Sequence, residues 1–88
     1  MSRKSNKPLK TLRDGALKAS IWKNEAESGP FYSVTLSRSY KRKDGSFADS
    51  ASFSGSDILK ITQLASRAYT LALNARDLGE DYLAGGQA

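Results

Sequence analysis

The chain combines a run of basic residues with large aromatic side chains, and sites that bind single-stranded nucleic acid are typically built from these two residue types. Lys41, Arg42 and Lys43 are consecutive, and Arg38 lies three residues before them. Basic side chains neutralise phosphates, while a ring such as that of Trp22 stacks on a base and contributes about 1 to 3 kcal/mol per base. A basic run alone is equally typical of a solvated hairpin tip, so its surroundings must decide between the two interpretations.

The positive charge is concentrated in the first half of the chain. The 88 residues contain 14 Lys and Arg against 9 Asp and Glu, a formal net charge of +5. Residues 1–45 hold 11 basic and 4 acidic side chains, a net charge of +7, whereas residues 46–88 hold 3 and 5, a net charge of −2. This asymmetry indicates a basic region rather than charge spread evenly for solubility.

Side chains suited to catalysis near neutral pH are scarce. The chain has no histidine and no cysteine, which excludes thiol nucleophiles and imidazole or thiolate zinc sites. A carboxylate pair or magnesium site is conceivable, but Asp44 belongs to a predicted turn, and Glu25 and Glu27 lie in a predicted loop. We therefore expect no enzymatic activity, no cofactor and no metal.

Two Asp-Gly pairs predict β-hairpins in the region that must position these residues. Asp-Gly supplies the positive φ angles of a type I′ turn, so Asp14-Gly15 and Asp44-Gly45 each propose a two-residue loop. The predicted partners are Leu12 with Leu17 in the first hairpin and, in the second, Arg42 with Phe47, Tyr40 with Asp49, Ser37 with Ser52 and Leu36 with Phe53.

Alternation along the strands assigns the two faces of the sheet, because successive side chains point to opposite sides. The inward set is Leu17, Ala19, Ile21, Tyr32, Val34 and Leu36, continuing into Arg38 and Tyr40. The outward set is Lys18, Ser20, Trp22, Phe31, Ser33, Thr35, Ser37, Ser39, Lys41, Ser50 and Ser52. The predicted outer face is therefore rich in hydroxyls, with two aromatic rings and basic ends. Trp22 on this face either stacks on bases or is covered by the N-terminal arm or a dimer contact.

After Phe53 the apolar period changes from two to about 3.6, which predicts a helix of about twenty residues. Ser54 or Ser56 is the predicted N-cap, and Gly79 ends the helix. Its apolar stripe is Ile58, Ile61, Leu64, Ala65, Ala68, Leu71, Ala72, Ala75 and Leu78. The predicted fold is α+β, a four-stranded antiparallel sheet followed by one long C-terminal helix.

The predicted organisation is a disordered basic arm at residues 1–8, a single β4-α domain at residues 9–78 and a flexible tail at residues 79–88. Four short strands are expected to cover only part of a helix of about 30 Å, which leaves apolar surface on its C-terminal half. A homodimer in which the helices pack together would bury that surface. A monomer with a frayed helix is the alternative. The predicted dimer residues are Ala65, Ala68, Leu71, Ala72 and Ala75.

The stretch from Val34 to Leu64, VTLSRSYKRKDGSFADSASFSGSDILKITQL, resembles the single-stranded-DNA-binding transcriptional coactivators of the positive cofactor four type, whose architecture the Whirly proteins share. The shared pattern is a strand ending in Arg38-x-Tyr40, a charged Asp-Gly hairpin, a short strand ending in Phe53 and a capped helix. The resemblance implies a homodimer held largely by helices, with Arg38 as a phosphate contact. The chain also resembles small uncharacterised bacterial proteins that have a KASIWKNE strand and a SFSGSD helix start.

These observations predict a module that binds single-stranded nucleic acid, DNA in preference to RNA, largely independently of sequence. The alternative is a small protein–protein interaction or dimerisation module with no nucleic-acid role. No apolar segment approaches the roughly 20 residues that span a bilayer, so we expect a cytoplasmic protein without membrane contact, with association with the nucleoid as one option. The residues predicted to bind nucleic acid are Arg13, Lys18, Trp22, Phe31, Arg38, Tyr40, Lys41, Arg42 and Lys43, with added attraction from Arg3, Lys4 and Lys7.

Overall fold

The structure is a computed structural model of the 88-residue chain and describes residues 3–4 and 7–80. It confirms the predicted α+β fold, in which antiparallel strands precede one C-terminal helix. A two-residue strand within the predicted arm is additional to the four expected strands. The elements are β1 (Arg3–Lys4), β2 (Lys10–Asp14), β3 (Leu17–Glu25), β4 (Phe31–Lys41), β5 (Phe47–Ser50) and α1 (Ser56–Leu78).

The sheet is organised around β3. On one side β3 pairs with β2 along its first half and with β1 at its end, and on the other side it pairs with β4. β5 lies outside β4 and pairs only with its last four residues, Arg38 to Lys41. The helix packs on one face of this sheet, against β2, β3 and β4.

The first hairpin has a different register from the predicted one. Leu12 pairs with Ala19 rather than Leu17, and Asp14 pairs with Leu17, so the two loop residues are Gly15 and Ala16. Gly15 has φ 63°, and a glycine at the first loop position satisfies the turn without Asp14 entering the loop. The shift is two residues, so each side chain keeps its predicted face.

The second hairpin is shifted by one residue, which changes faces. Lys41 pairs with Phe47, and the Arg42 amide donates to the Ser46 carbonyl at 2.7 Å. The Gly45 amide donates back to the Arg42 carbonyl at 3.0 Å, and Gly45 has φ 92°. This geometry matches a three-residue loop in which a turn is followed by a left-handed glycine. Phe47 and Asp49 therefore lie on the outer face and Ser50 on the inner face, opposite to the prediction.

The helix begins one residue after a glycine rather than after a serine cap. Gly55 is the N-cap, and among the described residues no side chain donates or accepts there, so neither Ser54 nor Ser56 caps the helix as predicted. The turn is closed by the backbone instead, with the Asp57 amide bonded to the Ser54 carbonyl at 3.1 Å. The predicted end is confirmed, since the Gly79 amide donates to the Ala75 carbonyl.

The core joins the inner face of the sheet to the helix along most of the helix length. The two ends of the predicted stripe lie outside it, because Ile58 is 55% exposed and Leu78 is 69% exposed. The buried apolar residues are Leu12, Leu17, Ala19 and Ile21 from the sheet and Ile61, Leu64, Ala68 and Ala75 from the helix.

Most of the residues predicted to form a helix-helix dimer pack within the single chain, and the dimer itself stays a prediction. Ala68 and Ala75 are 0% and 2% exposed within the single chain, and Leu71 and Ala72 pack partly against the same core. Ala65 is half-buried. The sheet therefore covers part of the C-terminal half of the helix, and apolar surface remains there at Tyr69 and Leu78, which are 61% and 69% exposed.

The chain immediately after the helix is bound to the sheet. The Tyr32 hydroxyl donates a hydrogen bond to Glu80 Oε2 at 2.8 Å. The Lys23 ammonium forms an ion pair with the same oxygen at 3.0 Å. Glu80 belongs to the segment predicted as a flexible tail; the rest of that segment, from residue 81, lies outside the described residues. Among the described residues, no helix has the length and apolar content needed to cross a membrane.

Candidate nucleic-acid interface

The face of the sheet opposite the helix is the candidate interface, and we call it the outer face. The strand register places Trp22 beside Ser33, Lys18 between Arg13 and Ser37, and Phe47 beside Lys41 on this side. Its side chains are Thr11 and Arg13 from β2, Lys18, Ser20, Trp22 and Asn24 from β3, Phe31, Ser33, Thr35, Ser37, Ser39 and Lys41 from β4, and Phe47 and Asp49 from β5.

Trp22 has a fixed orientation on the outer face. Its indole Nε1 donates to Thr35 Oγ1 on the neighbouring strand at 2.8 Å, so the ring is directed across the sheet toward β4. The side chain is partly exposed. β1 lies beside this end of β3, with Lys4 opposite Asn24, so the alternative that the arm contacts this region stays open. A ring oriented by its own polar atom presents a defined surface for stacking at little further entropic cost.

Several outer-face polar groups bond within the sheet. Asn24 Nδ2 donates to Ser33 Oγ at 2.9 Å, and the hydroxyls of Thr11 and Ser20 are 3.2 Å apart. Ser20 and Asn24 are buried, at 7% and 5% exposure, although they lie on the outer face. Both are short side chains on β3, which has paired strands on both sides. Their role is to bind neighbouring strands, which leaves them unsuited to contact a phosphate.

The basic residues of the outer face lie at the end where both hairpins turn. Arg13 and Lys41 are exposed, and the loop residues Arg42 and Lys43 extend this end. Lys18 lies with them and is half-buried. Lys18 and Trp22 are four residues apart on β3, which corresponds to about 13 Å along the strand.

An acidic residue that sequence reasoning placed on the other face reduces this charge. Asp49 accepts hydrogen bonds from Lys18 Nζ at 3.2 Å and Ser39 Oγ at 3.1 Å. These two contacts, with Lys18 the larger cause, lower the pKa of the Asp49 carboxyl. Asp49 is therefore ionised at neutral pH and offsets Lys18. The remaining positive charge of this end comes from Arg13, Lys41, Arg42 and Lys43, against the carboxylates of Asp14 and Asp44.

Two of the predicted binding residues lie on the helix side of the sheet. Arg38 pairs with Leu17 and Ser50, and its guanidinium carbon is 5.6 Å from the centre of the Tyr40 ring. Arg38 Nε also donates to the Ser52 carbonyl at 3.3 Å. Arg38 and Tyr40 thus contact each other on the inner face. The predicted set is divided: Arg13, Lys18, Trp22, Phe31 and Lys41 lie on the outer face, Arg42 and Lys43 in the hairpin loop, and Arg38 and Tyr40 on the inner face.

One aromatic ring of the outer face was missed by sequence reasoning. Phe47 is 72% exposed and lies opposite Lys41, whereas the predicted register placed it opposite Arg42 on the inner face. Phe31, which was predicted, is 44% exposed at the far end of β4. The outer face therefore has a ring at each end of β4 and Trp22 between them along the sheet.

Comparison of the chain with protein-family models, with curated proteins and with solved structures found no match. The resemblance to the single-stranded-DNA-binding coactivators consequently stays a prediction from the sequence, and the geometry of the outer face is the basis for assigning a function.

Proposed function

We propose that the protein binds single-stranded nucleic acid, DNA in preference to RNA, across the outer face of its sheet and largely independently of sequence. The observation that carries the proposal is the orientation of Trp22, whose indole bonds to Thr35 and whose ring lies about 13 Å along the strand from the basic end. Such a combination of a stacking ring and nearby cations is what single-stranded nucleic acid requires. A nucleic-acid ligand implies a cytoplasmic location.

The roles follow from position on the outer face. Arg13, Lys41 and the loop residues Arg42 and Lys43 neutralise phosphates, because they are exposed. Lys18 contributes less, since Asp49 is already bonded to it. Trp22 stacks on a base, and the exposed rings of Phe31 and Phe47 extend the track toward both ends of β4. Arg38 and Tyr40 are not part of this site.

Duplex DNA fits the described structure less well. α1, the helix of the described residues, uses its apolar stripe for the core, so it is not available to enter a major groove. Its three basic side chains are largely offset by two acidic ones, and Arg76 is bonded to Asp77 at 2.9 Å. The outer face instead presents exposed rings, against which unpaired bases can lie.

The test is a titration with a fluorescent oligo-dT of about 15 nucleotides, a length within the range of known single-strand sites. Binding at about 50 mM salt is expected to weaken severalfold or more at about 200 mM, since each neutralised phosphate releases counterions. Trp22→Ala is expected to lose about tenfold. Trp22→Phe keeps a ring but loses the bond to Thr35 that orients it, so its affinity is expected to lie between those of the unmodified protein and Trp22→Ala.

Lys60→Ala is the control, because Lys60 is exposed on the helix, away from the outer face. It is expected to leave affinity nearly unchanged. If no binding is found at the lower salt concentration, the nucleic-acid proposal is wrong and the interaction-module alternative stands. Equal losses for Trp22→Ala and Lys60→Ala would remove the stacking role while leaving a purely electrostatic one.

A further inference from the structure

The first part of β4 has an edge without a neighbouring strand among the described residues. β5 pairs with β4 only from Arg38 to Lys41. The segment from Phe31 to Ser37 pairs with β3 on one side and with no described strand on the other. We call this segment the open edge.

Two backbone hydrogen bonds of β4 and its hairpin show toward which side of the strand each N–H and C=O group of the open edge points. The Ser39 amide donates to the Ala16 carbonyl on the β3 side, and the Arg42 amide donates to the Ser46 carbonyl on the β5 side. Backbone groups alternate along a strand, so odd-numbered residues of β4 bond toward β3 and even-numbered ones toward the opposite side. The amides and carbonyls of Tyr32, Val34 and Leu36 therefore point out of the open edge.

The open edge carries none of the features that keep sheet edges from pairing. Its sequence, FYSVTLS, has no charged residue, no proline and no glycine, and it is rich in residues that favour strands. Natural proteins protect such edges with lysine, proline or bulges, because an unprotected one pairs with another chain. The basic side chains of β4 lie instead at Arg38 and Lys41, beyond the open edge.

A groove of about 420 Å³ runs between the open edge and the helix. On the helix side it is lined by Tyr69, which is 61% exposed, and by Ala72, Leu73 and Arg76. The Arg76 guanidinium donates a hydrogen bond to the Asp77 carboxylate. The groove adds apolar surface beside the unpaired backbone groups, so a strand that pairs with the edge also covers side chains.

We propose that the open edge binds the open edge of a second copy of this chain, as antiparallel strands related by a twofold axis at Ser33. In this register the Tyr32 backbone bonds to Val34 of the second copy, and the reverse, while Phe31 faces Thr35. The pairing stops before Arg38, so it avoids β5. The proposal does not depend on nucleic-acid binding.

A second copy fits this edge better than a foreign peptide. Twofold pairing gives both edges a partner at once, which closes the assembly. The edge has no charge to repel its own copy, and no charge to select a charged partner. A chain of 88 residues also has a small core, and added burial stabilises it.

The test measures mass and amide exchange on the unmodified full chain. At about 500 µM, sedimentation is expected to give twice the 9.6 kDa of one chain, since association follows mass action. Between about 20 µM and 500 µM, hydrogen exchange at Tyr32 and Val34 is expected to slow about threefold, because over this range the fraction of free monomer in a monomer–dimer equilibrium can fall by no more than about fivefold. Exchange at Ser33 and Thr35, which bond toward β3, is expected to stay constant.

Two matched variants test whether the dimer interface lies at the groove beside the open edge. Tyr69→Lys puts a charge in the groove beside the twofold axis and is expected to raise the dimer dissociation constant about tenfold. Leu59→Lys makes the same kind of change at a 67% exposed helix position outside the groove and is expected to leave it unchanged. A monomer at 500 µM overturns the proposal, as does a dimer in which Tyr32 and Val34 exchange at the same rate at both concentrations.

Discussion

At the scale of single residues, Glu80 shows how one side chain connects the helix end to the sheet. Its Oε2 receives the Tyr32 hydroxyl and the Lys23 ammonium. These hydrogen bonds, with Tyr32 the larger cause, lower the pKa of the Glu80 carboxyl. Burial, and then the bond to Glu80, raise the pKa of Tyr32. The contact crosses 48 positions of sequence, which is why no local pattern predicted it.

We predict that Glu80→Gln destabilises the protein above pH 4.5 and has little effect at lower pH. A carboxyl whose pKa is lowered by folding adds stability above its unfolded pKa, and this stability is lost as pH falls through the folded pKa. Because the Glu80 side chain is 38% exposed, solvent screens the pair, and we expect a loss of about 0.5 kcal/mol at pH 7. Urea unfolding of both proteins at pH 7 and at about pH 3.5 measures the difference in the free energy of unfolding. Glu27→Gln, at an exposed loop position, serves as control, and an equal effect of both variants contradicts the prediction.

At the scale of elements, the strands and the helix were predictable because apolar periodicity and Asp-Gly pairs are local signals. The face of the sheet on which each β5 side chain lies was not predictable in the same way. The dipeptide at Asp44-Gly45 allows both a two-residue and a three-residue loop, and the choice moves Phe47 and Asp49 between faces. The Asp44 carboxylate accepts from the Ser46 amide at 2.9 Å and from its hydroxyl at 2.7 Å, which favours the longer loop. The Ser46 hydroxyl and amide lower the pKa of Asp44.

We predict that Gly45→Ala lowers the free energy of unfolding by about 1 kcal/mol, because an alanine is strained at φ 92°. A Cβ at this position meets no atom within 4 Å, so backbone strain is the cause rather than a clash. Gly45→Asn is the matched control and is expected to lose clearly less, since asparagine tolerates the left-handed region. Urea unfolding followed by Trp22 fluorescence measures both. Equal losses for the two variants, or none, would show that the loop does not require this conformation.

At the scale of the whole molecule, the sheet separates two surfaces with different chemistry. The inner face and the helix form the core, while the outer face carries Trp22, Phe31 and Phe47 with the basic end. Alternation within each strand was enough to predict which side Trp22 occupies. Alternation also predicted the helix side for Arg38 and Tyr40, which they share with Leu36. Their role as binding residues came from basic and aromatic composition and from the family resemblance, and it stays a prediction. The division of charge between faces depends on register, which the sequence determines only through the loops.

Two double variants with the same change in net charge separate a localised basic end from general attraction by the +5 chain. Arg42→Gln with Lys43→Gln removes two charges from the hairpin loop, and Lys60→Gln with Arg67→Gln removes two from the exposed side of the helix. If the loop contacts phosphates, the first pair is expected to reduce the slope of log affinity against log salt by about 1.4, since each single-strand phosphate contributes about 0.7. The second pair is expected to leave the slope unchanged, because long-range attraction from the helix side is screened within about 10 Å at 0.1 M salt. Equal reductions in the two variants would assign the attraction to net charge alone and contradict a binding site at the basic end.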